Sequence, residues 1–275
     1  MRGVFAAGVL NAFGTARFDP FHLYIGVSAG GCNLASHLAG QNDRNFDIME
    51  RYSSTSRFIN FRRFLTGGNL MDLDWLWEVT IREYRLRLNG IYGRLRRYRK
   101  DFIVVATSMV SGKAMYLRPD ERTLEYYLKV SSALPLLYRT ELAIGSERAA
   151  DGGIADSIPV AEAYRRGASR ITVIRTRPSG YVMKKSRISP VYPIIFRNNP
   201  FFKEALMKRA ENYNGSLGFI KHPPAGVTVD EIAPPAGHGP GRATRDMHAL
   251  RAAYECGREM GNEYINSWKN GGTSR

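Results

Sequence analysis

Apolar and polar positions along this chain fall into alternating helix-length and strand-length blocks. Residues 4–13 form an apolar, alanine-rich run directly after Gly3, which predicts a helix, and residues 23–27 form a short apolar run that suits a buried strand. A tight turn follows at Ser28. Residues 30–38 predict a helix leaving that turn, and the amphipathic spacing of residues 43–52 predicts a second one with Asp43 as its cap. Further on, residues 102–106 read as a strand, Ser111-Gly112-Lys113 as a turn, 114–117 as a returning strand and 121–130 as a helix. Residues 159–166 then read as a helix and 171–175 as a strand. Pro178, Pro190, Pro193 and Pro200 punctuate a stretch expected to be a long loop. A strand at 227–232, a Gly/Pro-rich loop at 234–241 and an amphipathic helix over about 245–268 complete the pattern. This alternation predicts an α/β fold with a mainly parallel sheet covered on both sides. Without repeats or low-complexity tracts, residues 1–275 are expected to form one domain.

Composition narrows the class. Hydrophobic residues make up 44% and charged residues 24%, the balance of a globular chain with a large core. Lys and Arg number 40 against 25 acidic residues, a net charge of +15, so polyanions should gather at the surface. Residues 82–100 concentrate this charge in Arg82, Arg85, Arg87, Arg94, Arg96, Arg97, Arg99 and Lys100. No zinc-ligand spacing, RNA-binding aromatic signature or basic-region heptad accompanies them, so a solvated helix face is expected there and no specific nucleic-acid partner. Cys32 and Cys256 are the two cysteines, which argues against a disulfide scaffold; both are expected as small buried hydrophobes, in a cytoplasmic protein. No apolar run reaches the roughly 18 residues a membrane-spanning helix needs. Contact with an anionic membrane surface stays open. Residues 181–202 would suit it, since Tyr181, Tyr192, Phe196, Phe201 and Phe202 alternate with Lys184, Lys185, Arg187 and Arg197; a packed loop with a solvated basic edge is the plainer expectation.

The chemistry centres on Gly26-Val27-Ser28-Ala29-Gly30, a GxSxG pattern entered by an apolar strand and left by a small-residue helix. Such a strand-to-helix turn strains the serine backbone and lets a substrate carbonyl approach its hydroxyl, while the helix amino terminus favours developing negative charge. A serine hydroxyl needs a base. Asp151, followed by Gly152 and Gly153, is the candidate, expected in a loop ahead of the 159–166 helix. The competing arrangement is a histidine-dependent triad, because His222, His238 and His248 all follow Asp151. The serine elbow comes too early in the chain for that fold, with at most one helix and no complete strand before residues 23–27. His22 reads as a strand-edge residue and His37 as a helix-surface residue.

At these residues the chain resembles the bacterial branch of the patatin-like phospholipase family, through five blocks in the family's order. Arg2-Gly3 with the helix after them resembles the end of its glycine-rich GGGxRG loop, and residues 26–30 its GxSxG. Residues 106–113 resemble its mid-sheet strand and turn, Ser131-Ser132-Ala133-Leu134-Pro135 its ASxAxP block, and Asp151-Gly152-Gly153 with Ile158-Pro159-Val160 its DGG element. The resemblance implies a three-layer α/β/α sandwich and a Ser–Asp dyad, with Ser28 as the acylated nucleophile and Asp151 as base. It implies lipid acyl esters as substrates and neither metal nor cofactor. It also implies an oxyanion loop of which Arg2 and Gly3 are the remnant, so a strand and glycines are expected upstream of Met1, with one side of residues 23–27 left open. The alternative is a non-catalytic lipid- or membrane-binding relative. Head group, chain length and oligomeric state are not legible.

Overall fold

The computed structural model describes residues 1–186, 190, 192–236, 241 and 244–271. Helix α1 (Gly3–Thr15) leads to strand β1 (Leu23–Val27) and helix α2 (Ala29–Leu38). Then come α3 (Arg44–Ile48), which runs into a π-helical turn over Met49–Ser53, α4 (Phe61–Leu65), α5 (Leu73–Glu83) and α6 (Leu88–Arg97). The middle of the chain supplies β2 (Asp101–Ser108), β3 (Ala114–Leu117), α7 (Leu124–Ser132), β4 (Leu142–Ile144) and β5 (Glu147–Asp151). It closes with α8 (Val160–Arg165), β6 (Arg170–Ile174), α9 (Tyr192–Ile195), α10 (Pro200–Lys221), β7 (Thr228–Ile232) and α11 (Met247–Lys269). α9 lies within the stretch expected to be a long loop, and α10 begins at its last proline, Pro200.

The expected α/β sandwich is present, and among the described residues its strands form a mixed five-stranded sheet, β1 to β5, and a separate parallel pair, β6 and β7. β1 runs parallel to β2 and β6 parallel to β7, but β3 and β5 pair with β2 antiparallel, and β4 with β5 antiparallel; β2–β3 and β4–β5 are joined by short turns, whereas β5 reaches β2 only after β3, α7 and β4. Register fixes the topology around β2. The partners of β3, Val104–Thr107, overlap those of both β1 and β5, so β3 holds one edge and β1 and β5 share the other. Backbone bonds agree. Asp101 N–H donates to His22 on the β1 side and Met109 N–H to Arg148 on the β5 side, while Ser108 N–H points to Lys113.

Alternating side chains build the layers. Tyr24, Phe102 and Val104 pack against α2, α6 and α7 through Leu38, Ile91, Leu124 and Leu128. Ile25, Ile171 and Val173 face the other way, onto Val160 of α8 and Tyr213, Leu217 and Ile220 of α10. α1 lies along α11 at close range, and glycines make this possible. A Cβ on Gly8 would overlap the Tyr254 carbonyl and one on Gly257 the Phe5 carbonyl. Asp43 caps nothing with its side chain; its carboxylate accepts from Asn11 Nδ2 at 2.6 Å and Tyr254 Oη at 2.9 Å, tying α1, α3 and α11 together.

Several surface expectations resolve here. Within 82–100 some charge is structural: Lys100 Nζ lies 2.7 Å from Asp19 and Arg94 Nε 3.2 Å, pinning the start of β1 beside that of β2. Of the aromatics at 181–202, Tyr192, Phe196 and Phe202 are buried, Tyr181 is half-buried and Phe201 is exposed, and Lys184, Lys185 and Arg197 are exposed; Arg187 lies outside the described residues. Cys32 and Cys256 are only partly buried. His37 is a correction. It is 2% exposed, because α2 turns it under α1 and α6.

Burial, reinforced by the Arg94 cation, pushes the His37 imidazole down to about 4 from an ordinary value near 6.5. The unfolded chain therefore takes up a proton first, so stability is fully present above about pH 6.5 and falls as pH drops toward 4, by roughly 3 kcal/mol in total. Urea unfolding at pH 7 and pH 4.5 should show this loss. His37→Gln should flatten it, and an unchanged pH slope would show that His37 is not its source.

Candidate functional site

The candidate nucleophile and base meet where two strands abut. Val27, the last residue of β1, pairs with Val105, and Asp151, the last of β5, pairs with Ala106. β1 and β5 approach from opposite directions along the same edge of β2, so their carboxyl ends point at each other. Ser28 and Asp151 stand at this junction and line one cavity of about 910 Å³.

At Ser28 the backbone adopts φ 54°, ψ −128°, a region that disfavours residues with a Cβ. Several contacts hold it there. Ser28 N–H donates to Ser131 Oγ at 2.7 Å, and the Ser28 carbonyl accepts from Gly31 and Cys32 as α2 begins. A Cβ on Gly26 would overlap Gly31, so the elbow requires that glycine, whereas Gly30 faces open space. Gly3 packs so closely on Ala29 that a Cβ would come within 2.8 Å of the Ala29 Cβ, and Arg2 and Gly3 line the same cavity as Ser28.

Asp151 is 2% exposed and ends β5 rather than sitting in a loop. Its Oδ1 accepts the Gly153 N–H at 2.8 Å, its N–H donates to the Ala133 carbonyl at 2.9 Å, and its carbonyl accepts Thr107 Oγ1 at 2.8 Å. Gly152 lies flat on β2, where a Cβ would overlap the Val105 carbonyl. The Gly153 carbonyl accepts from Ser157 Oγ at 2.6 Å and from Arg209 Nε of α10 at 2.7 Å. The base is thus held from β2, from the 131–133 segment and from α10.

Ser131 is the residue whose role the sequence did not disclose. Between the ends of β1 and β5, the Val105 carbonyl has no ladder partner, and buried Ser131 supplies one by donating its hydroxyl at 2.6 Å while accepting Ser28 N–H. One hydroxyl therefore closes the junction and holds the strained residue. Of the histidines in the competing triad, His222 and His248 are exposed and outside this cavity, and His238 lies outside the described residues. His22 lines the cavity at the far end of β1 from Ser28.

The cavity walls are largely apolar. Phe58, Leu73, Leu76, Trp77 and Leu128 form one side, and β6 with Ile158 and Val160 another. Among the described residues β1 pairs only with β2 and β6 only with β7, so an unpaired edge of each strand is left, and both strands line the cavity. No group of three or more His, Cys, Asp or Glu among the described residues could hold a metal ion.

The model of the Patatin-like phospholipase family matches residues 1–164, and that of a domain of unknown function, DUF6363, matches residues 199–271. A relative from Escherichia coli strain K12, "Uncharacterized protein YjjU", is 33% identical over 274 residues, covering 96% of this chain and 74% of that protein.

Ser131→Ala would leave the Val105 carbonyl and the Ser28 N–H unpaired in the interior. At roughly 1–3 kcal/mol for each unsatisfied buried group, the variant should lose about 2–6 kcal/mol of stability. Denaturant unfolding measures it; a loss below 1 kcal/mol would mean that the junction does not depend on this hydroxyl.

Proposed function

The chain belongs to the patatin-like phospholipase family, and we propose that it is a lipid acyl hydrolase in which Ser28 is the nucleophile and Asp151 its base. The observation that carries this reading is the head-to-head junction on β2, where β1 ends with Val27 opposite Val105, just before Ser28, and β5 ends with Asp151 opposite Ala106. The apolar cavity walls suit an acyl chain, and the cavity's size lies within the range of small-molecule sites.

In this mechanism Asp151 takes the Ser28 proton as the oxygen attacks the ester carbonyl, forming a tetrahedral oxyanion. Its collapse breaks the ester C–O bond, and the proton on Asp151 passes to the leaving alcohol or lysolipid. Water then attacks the acyl-serine, giving its proton to Asp151, and the fatty acid leaves as the Ser28 hydroxyl is restored. The amino terminus of α2, with Gly3 packed on Ala29 beside it, offers the positive end of a helix dipole to the developing negative charge. Gly30, with open space where a side chain would stand, leaves room for the carbonyl to approach.

A fluorophosphonate probe should modify Ser28, and Ser28→Ala should abolish labelling and ester hydrolysis. Asp151→Asn should lower hydrolysis of a p-nitrophenyl ester by about 1000-fold or more while the thermal melt persists, whereas Ala at His22, His222, His238 or His248 should cost less than about threefold. A histidine substitution as damaging as Asp151→Asn would overturn the dyad. Fatty-acid binding by a folded protein that neither labels nor turns over would favour the non-catalytic lipid-binding alternative.

A further inference from the structure

Helix α4 buries none of its residues. Phe61 is 60% exposed and Leu65 84%, and at positions i and i+4 they share one face of this short helix. A large apolar pair in water on a mobile loop would mean little, but this segment is held firmly. Asn60 caps the helix by accepting Arg63 N–H at 3.0 Å. The Arg63 guanidinium donates to the carbonyls of Arg57, Phe58 and Asn69 and reaches Asp72 at 3.3 Å. Below it, Ile59 bridges Met71, Asn60 N–H donates to the Leu70 carbonyl and Asp72 N–H to the Phe58 carbonyl, so the two flanking segments form a stalk. Arg139 donates to the Gly67 carbonyl at 2.6 Å and lies 4.7 Å over the Phe64 ring. The protein thus fixes an apolar tip in place.

We propose that α4 is the tip by which this protein docks on an anionic lipid bilayer, with Phe61 and Leu65 entering the interface and Arg57 and Arg62 meeting the head groups. Three observations select a bilayer as the occupant. Residues 54–71 hold three arginines and no acidic residue, and Arg57 and Arg62 are exposed, so charge and apolar surface coincide. The tip presents two exposed apolar side chains, well short of the roughly 800 Å² per partner of a stable protein interface. The stalk residues Phe58 and Met71 line the cavity that holds Ser28, so the tip emerges from the cavity's own wall. Ile194 and Phe201 are also exposed, but the core beneath them, Tyr192, Phe196 and Phe202, does not line that cavity. Docking through α4 would bring the cavity wall onto the membrane. It adds a lipid surface to the hydrolase reading above, and binding can be measured apart from hydrolysis.

The experiment uses the full chain carrying Ser28→Ala, so that lipid is not consumed, and co-sedimentation with vesicles of phosphatidylcholine alone or mixed with phosphatidylglycerol. The parent should prefer the anionic vesicles. Phe61→Ser with Leu65→Ser should weaken binding at least about tenfold. Arg57→Gln with Arg62→Gln should weaken anionic binding by roughly fivefold per arginine and reduce the preference. Thermal melts should not change, since these side chains are exposed. With Ser28 restored, the Phe61/Leu65 variant should hydrolyse a soluble short-chain ester at the parental rate; absence of hydrolysis even in the parent would count against the hydrolase reading and leave the vesicle result intact. Parental vesicle affinity in the Phe61/Leu65 variant, or no vesicle binding by the parent, would overturn the proposal. So would self-association of the parent that disappears in that variant while vesicle binding does not change.

Discussion

The site depends on one constraint at the edge of β2, where two strands arrive from opposite directions and stop. A continuous strand there would pair every main-chain group that β2 turns toward that edge. Two abutting strands leave the Val105 carbonyl between them, and a buried carbonyl needs a donor. Ser131 donates and in return receives the Ser28 N–H, so the bond that repairs the sheet also holds the nucleophile's backbone. Gly152 follows from the same geometry, since the chain leaving Asp151 must pass over Val105 with no side chain between. The elbow, the 131–133 segment and the aspartate turn are three sides of one joint.

That joint is braced by the second half of the chain. Arg209 on α10 reaches the Gly153 carbonyl, and α11 packs along α1, whose first turn rests on Ala29 beside Ser28. The approach of α1 to α11 is close enough that backbone meets backbone, because Gly8, Gly257 and Gly261 remove the side chains that would separate them. Residues 199–271, matched by a different family from residues 1–164, therefore hold both sides of the candidate site.

What the sequence disclosed follows from which signals are local. Residues 26–30 and 151–153 were legible because close backbone contacts at Gly26 and Gly152 demand glycine, and the apolar runs of β1 and β2 because β2 is buried from Phe102 on and β1 alternates buried with half-buried residues. The β4–β5 hairpin was not legible, since Ala149 and Ala150 carry little hydrophobic signal and Glu147 and Arg148 read as surface. Nor was α10. Asn212, Asn214, Gly215, Ser216 and Gly218 are poor helix formers, and the helix exists because Phe202, Ala205, Ala210, Tyr213, Leu217 and Ile220 are buried by their neighbours. Their spacing was the available clue, masked by the prolines before it. His37 misled for a related reason: burial on α2 depends on α1 and α6 covering it, which no local pattern records. Ser131 could not be assigned at all, because its two partners are 26 and 103 residues away.

The excess positive charge divides in the same way between local and distant causes. Part of it is internal to the fold. Lys100 and Arg94 fasten Asp19, Arg175 pairs with Glu231 beneath Tyr213, and Arg170 pairs with Asp230 and stacks on Trp268 at 3.4 Å. Arg63 and Arg139 spend their donors on carbonyls, where a fixed planar fork can satisfy several backbone groups at once. These arginines supplement the few ladder hydrogen bonds that so irregular a segment forms. Net charge alone therefore overstates what faces a polyanion. The arginines that remain available are those whose neighbours have no carboxylate to offer, and around α4 they surround the exposed Phe61 and Leu65.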